Sequence, residues 1–158
     1  MEKFDFIEMT IPAKADYIGV IRLTISGIAN RMGFPYEDIE DLKVAVSEAI
    51  TNAVTHAYDD EETGEIRLGF GVYEDRLEIM VADSGVSFNM KEVRKEIGPH
   101  NKSEPVENLR EGGFGLFLIN ALMDEVEIHD NHGVIIVMTK FISETEVGLD
   151  DDQVSTTL

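Results

Sequence analysis

Apolar residues alternate with period two at Ile66, Leu68, Phe70 and Val72, and again at Leu77, Ile79 and Val81, on either side of Tyr73-Glu74-Asp75-Arg76. This pattern predicts a β-hairpin with one apolar face, and such a face must be covered by another layer. The preceding segments supply the cover. Ile18, Ile21, Ile25, Ile28, Ala29 and Met32 recur at helical spacing and stop at Gly33, with Pro35 just beyond. Ile39, Leu42, Val46, Ala49, Ile50 and Ala53 form the stripe of a second helix, from near Pro35 to about Ala57. Before both helices, Phe4 to Ile11 reads as a strand closed by Pro12. After the hairpin come an irregular stretch, a glycine-led apolar helix ending near Met123, and two strands, Val126 to His129 and Val134 to Phe141. The expected architecture is α+β: a two-layer sandwich with helices on one face of a mixed or antiparallel sheet.

Composition narrows the class. A chain of 158 residues, 43% hydrophobic, suits one domain with a core; the expected division is 1–143 for the domain and 144–158 for an acidic, flexible tail. The chain has no cysteine, so disulfides and thiolate metal sites are excluded. Its start carries no basic stretch leading into an apolar one. The run Val134 to Met138 is far too short to cross a bilayer, and a cytoplasmic location is expected. The net charge of −19 repels phosphate backbones and favours partners with basic patches. Residues 86–111 differ, because Lys91, Arg94, Lys95, Lys102 and Arg110 balance five glutamates. A structureless segment of this length is usually functional or disordered. Being neutral in an acidic chain, it is the expected place for a polyphosphate.

Three clusters can carry chemistry. Glu48, Asn52 and His56 stand four residues apart and share a helix face. An amide oxygen suits Mg²⁺ and a carboxylate can take a proton; the plainer reading is a solvated polar face, and for His56 a structural histidine. Asp83-Ser84-Gly85 follows a strand. Its aspartate can accept a hydrogen bond from an exocyclic amine and its glycine admits a planar ring, although Asp-Ser-Gly is also ordinary turn chemistry. Arg110-Glu111-Gly112-Gly113-Phe114-Gly115-Leu116 leads into a helix; backbone N–H groups there can hold phosphate, or the glycines form a hinge. The dinucleotide fingerprint fails because residue 118 is leucine, and Gly-Lys of a P-loop occurs nowhere. His-Arg-Asp and Asp-Phe-Gly are likewise missing.

In order, the clusters resemble the N box, G1 box, lid and G2 box of the GHKL (Bergerat-fold) ATPases, which include gyrase, Hsp90, histidine kinases and MutL. The likeness spans about residues 10–141, with the lid at about 86–111. It implies that Asn52 holds Mg²⁺ and contacts ATP, and that Asp83, with Gly85, receives the adenine amine. Arg110, Gly113, Gly115 and Leu116 would surround the phosphates, and Thr139 in the last strand would help hold adenine through water. Ser87 stands where many members have a second glycine, which bears on the lid's hinge and not on the adenine contact.

Three stretches, Tyr17 to Thr24, Asp41 to Ala49 and Leu122 to Val126, are similar to one branch: serine-protein kinases that are also anti-sigma factors. That branch implies ATP and Mg²⁺ as ligands, a homodimer, a stress-type (sigma-B) sigma factor as partner, and phosphorylation of a serine on a STAS-fold antagonist. Glu48 is then the general base. Arg22, on the helix that such proteins turn toward partners, is the candidate partner contact. Val20, Leu23 and Gly27 form a second strip on that helix, read as a dimer face or as core. A histidine kinase is not expected, because no histidine sits on a credible preceding helical hairpin, and a gyrase- or Hsp90-like ATPase with its transducer domain is not expected either. The alternative function is a non-catalytic module that holds ATP while binding a sigma factor, and Glu48 argues against it.

Overall fold

The computed structural model describes residues 3–58, 64–83, 114–130 and 134–142. Strand β1 (Asp5–Pro12) is followed by a 3-10 turn, Ala15–Tyr17, helix α1 (Ile18–Met32) and helix α2 (Tyr36–Tyr58). The hairpin is β2 (Glu65–Val72) and β3 (Arg76–Ala82). Helix α3 (Phe114–Leu122) and strands β4 (Glu125–Asp130) and β5 (Val134–Phe141) complete the chain. The 3-10 turn, closed by the Tyr17 N–H on the Lys14 carbonyl at 3.1 Å, was not evident in the periodicity.

The strands form one sheet in the order β1-β2-β3-β5-β4. Every pairing is antiparallel, which resolves the mixed-or-antiparallel expectation. Register fixes the faces. Leu68 lies opposite Val81, and Val81 opposite Ile136, so these share the face toward the helices. On that face Phe70, Ile79 and Met138 are fully buried against Ile21 and Ile25 of α1 and Leu42, Ala49 and Ile50 of α2. Each of the larger of these side chains contributes about 1.5–3 kcal/mol on burial.

α1 ends where Gly33 adopts φ 93°, a left-handed conformation that glycine takes without strain. Its N–H donates to the Ala29 and Asn30 carbonyls, and Phe34 turns into the core. The second strip of α1 is not core: Val20 is 46% and Leu23 76% exposed. Met80, Ala82, Ile135 and Val137 form a smaller apolar cluster on the opposite face of the sheet, with Phe6 packed against it. Among the described residues, no helix is long and apolar enough to cross a membrane.

Candidate functional site

The site lies where the second half of α2 faces the ends of β3 and β4, the start of β5 and the start of α3. A half-open pocket there is lined by Ala49, Asn52, Ala53, Val81, Asp83, Leu116, Ile128, Val134 and Ile136. The walls are apolar, with polar groups from Asn52 and Asp83. A planar, weakly hydrated ring fits such walls, and the few convergent polar groups orient it.

Each wall has a local cause. The apolar stripe of α2 anchors that helix on the sheet. One turn of helix then separates Glu48 from Asn52 and points both away from the stripe, half-buried. Asp83 directly follows β3; its N–H donates to the Val134 carbonyl at 3.4 Å, which ties it to β5. Its Oδ1 is shielded from solvent. At the start of α3, Gly115 comes so close to α2 that a Cβ there would sit 3.1 Å from Glu48 Oε2 and 3.5 Å from Asn52 Nδ2. The missing side chain at Gly115 thus lets α3 start in close contact with the tips of Glu48 and Asn52, and a methyl group there would push the Glu48 carboxylate by a few tenths of an ångström.

The structure thus brings Asn52, Asp83 and Leu116 to one pocket, with Glu48 and Gly115 adjoining it. Gly85, Arg110, Gly113, Ser87, the lid at 86–111 and the tail lie outside the described residues. His56 lies in α2, but its side chain is also outside them. Arg22 is exposed on α1, beside Leu23, and does not line the pocket.

Thr139 requires a correction. Side chains alternate along β5, and pairing with Glu78 puts Thr139 on the sheet face of Ile135 and Val137, away from the helices. Val134 and Ile136 of the same strand line the pocket instead. Apolar residues occupy both parities of this strand, so only its pairing shows which set faces the pocket. Ala49 and Ala53 were read only as core; their small size, flanking Asn52, also leaves room for a flat ligand. On the far face, burial pushes the Glu127 carboxyl up, opposed by His129, whose Nε2 lies 3.5 Å away.

Residues 11–140 match the family described as the histidine kinase-like ATPase domain. The serine-protein kinase RsbW of Oceanobacillus iheyensis is 65% identical over 157 residues, covering 99% of each chain. The serine-protein kinase RsbW of Bacillus cereus is 56% identical over 156 residues, covering 99% of this chain and 97% of that one. A crystal structure of the RsbU and RsbW domains of a Mycobacterium tuberculosis protein superimposes with a TM-score of 0.61 at 20% identity. It matches 87% of this chain and 32% of that longer one, a likeness of fold. With the pocket in place between α2, α3 and the sheet, the chain belongs to the RsbW family of histidine kinase-like ATPases.

Proposed function

We propose that this protein is an ATP-dependent serine-protein kinase and anti-sigma factor, which phosphorylates a serine of a STAS-fold antagonist and binds a stress-type sigma factor. The observation that carries the reading is the approach of Gly115 to Glu48 and Asn52, beside an apolar pocket containing Asp83. In this reading adenine sits among Val81, Ile128, Val134 and Ile136, with its amine toward Asp83. The N–H groups at the start of α3 face the phosphates, with Gly113 and Arg110 contributing from the preceding segment. Leu116 closes the pocket beneath them.

The donor set fits Mg²⁺. Asn52 offers a hard amide oxygen at the pocket, and a magnesium ion typically takes one or two protein oxygens and completes its shell with phosphate and water. When bound, the ion would neutralise charge on the transferring phosphate. Glu48, one turn before Asn52, accepts the proton of the attacking serine hydroxyl. Nothing in adenine binding calls for a carboxylate at Glu48. A reducing cytoplasm and a homodimer complete the reading: the chain lacks cysteine, and α1 exposes Val20 and Leu23.

Calorimetry tests the nucleotide half: ATP should bind far more tightly with Mg²⁺ than with a chelator, and equal affinities would reject the role given to Asn52. Gly115→Ala tests the site's geometry. Alanine is favoured over glycine in a helix by about 1 kcal/mol, so the melting temperature should hold or rise. The new methyl crowds Glu48, so phosphotransfer should fall by about tenfold. Stability and activity both unchanged would show that this approach is not part of the mechanism.

The partner half is tested at Arg22, exposed on α1 beside Leu23, which is 76% exposed. Arg22→Ala should weaken binding to the sigma factor, the antagonist or both by about 1–3 kcal/mol. ATP affinity and melting temperature should barely change. Surface-resonance titration against both partners measures this; undiminished binding to each would remove Arg22 from the interface.

A further inference from the structure

Lys140 is a cation in an apolar strand, only 9% exposed, on the helix-facing side of β5. Its Nζ donates to the Leu122 carbonyl at 2.6 Å and lies 3.6 Å from Asp41 Oδ2. Leu122 is the last residue of α3, and a cation there satisfies an orphan carbonyl and complements the helix dipole. The residues on either side of Lys140 grip the same junction. The Asp124 N–H donates to the Thr139 carbonyl at 2.9 Å, and the Phe141 N–H donates to Asp124 Oδ2 at 2.7 Å. Lys140 therefore holds the last carbonyl of α3, while its two neighbours hold Asp124, two residues past the helix end.

The other end of α3 is the one that meets Glu48. From Gly115 to Leu122 is seven residues, and from Asp41 to Glu48 is also seven. At 1.5 Å per residue both spans are about 10.5 Å. Asp41, Glu48 and Asn52 fall on one side of α2, since seven residues make almost two full turns. α3 packs along α2, with Leu122 tied toward Asp41 through Lys140 and Gly115 seated against Glu48. The two contacts fix the sliding position of one helix on the other.

We propose that Lys140 is a positioning residue for phosphoryl transfer: by holding the last carbonyl of α3 beside Asp41, it sets the axial register of α3 on α2 and so the place of Gly115 over Glu48 and Asn52. This rests on the function proposed above. Lys140 does not line the pocket and reaches it through its bond to the end of α3 and its pairing with Asp41. Its surroundings make it hard to replace. Burial pushes the Asp38 carboxyl up; Lys140 opposes this, and Asp41, Asp124 and Glu37 add smaller upward pushes.

The test compares Lys140→Met, which keeps an apolar stem and removes the cation, with Lys140→Arg, which keeps charge and donors. Amide exchange is measured first, on protein without nucleotide. Lys140→Met should speed exchange of the α3 amides by about tenfold relative to those of α1 and β2, and Lys140→Arg should stay within about threefold of wild type. Calorimetry with ATP and with adenosine follows. The ratio of ATP to adenosine affinity should drop about tenfold in Lys140→Met, with adenosine affinity itself within about twofold. For phosphotransfer, kcat should fall while KM for the protein substrate holds, and Lys140→Arg should recover most of it.

Unaltered α3 exchange in Lys140→Met would overturn the proposal. So would parallel loss of ATP and adenosine binding with exchange raised throughout the sheet, which marks a residue needed only for folding. Should Lys140→Met fail to fold, Asp41→Asn removes the partner and leaves the Leu122 bond; a shift of about threefold in the same two measurements is expected, and none would overturn the proposal. Wild-type protein that binds neither nucleotide would sink the proposed function itself, and the exchange rates would still decide whether Lys140 sets α3.

Discussion

Glu48→Gln is expected to bind Mg-ATP nearly as wild type does and to lose phosphotransfer by about 10²-fold or more. Glutamine preserves the shape beside Gly115, whose missing side chain leaves Glu48 Oε2 only 3.1 Å from the position a Cβ would take. What disappears is the ability to accept a proton. The loss should fall on kcat, because a base acts in the transition state and adds little to ground-state binding. Asn52→Ala should behave differently, losing the Mg²⁺-dependent part of nucleotide affinity. Single-turnover kinetics with parallel calorimetry on both variants measures this contrast. Equal losses of ATP binding in the two would mean that the carboxylate and the carboxamide share one role.

Asp83→Asn should lower ATP affinity by roughly tenfold or more while the fold survives. Asp83 is half-buried beside Val81, and its Oδ1 is shielded from solvent within a pocket whose other walls are mostly apolar. The substitution keeps size, removes charge, and turns one acceptor into a donor that faces the adenine amine. A mismatched buried polar group costs about 1–3 kcal/mol, which matches the expected loss. The same calorimetric titration with adenosine should show a similar proportional drop, because the proposed contact is to the base. Undiminished affinity for both would remove Asp83 from the adenine site.

The parts of this molecule legible in its sequence are those fixed by local geometry. The stripe of α2 and the shared face of Glu48 and Asn52 follow from helical spacing, and the structure gives both. The hairpin followed from strict alternation around Tyr73-Glu74-Asp75-Arg76, and the end of α1 from Gly33. What depends on register between distant strands was not legible. Thr139 and Ile136 are three residues apart in one strand, and only the pairing of β5 with β3 decides which of them faces α2. Lys140 was invisible as a device because its partners, Asp41 and the Leu122 carbonyl, come from two other elements. The strip at Val20 and Leu23 could be core or surface by spacing alone; tertiary packing left it outside.

The proposed work of this pocket is to move phosphate from ATP to a serine. Its most direct measurement is incubation of the protein with Mg²⁺, γ-labelled ATP and a STAS-fold antagonist, followed by mass spectrometry of the antagonist. Label is expected on a single serine of that partner, reduced about 10²-fold in Glu48→Gln and absent when the chelator removes Mg²⁺. ATP bound at the pocket, partners bound at the surface and no label on the antagonist would contradict it, and would make the protein a module that holds ATP without using it.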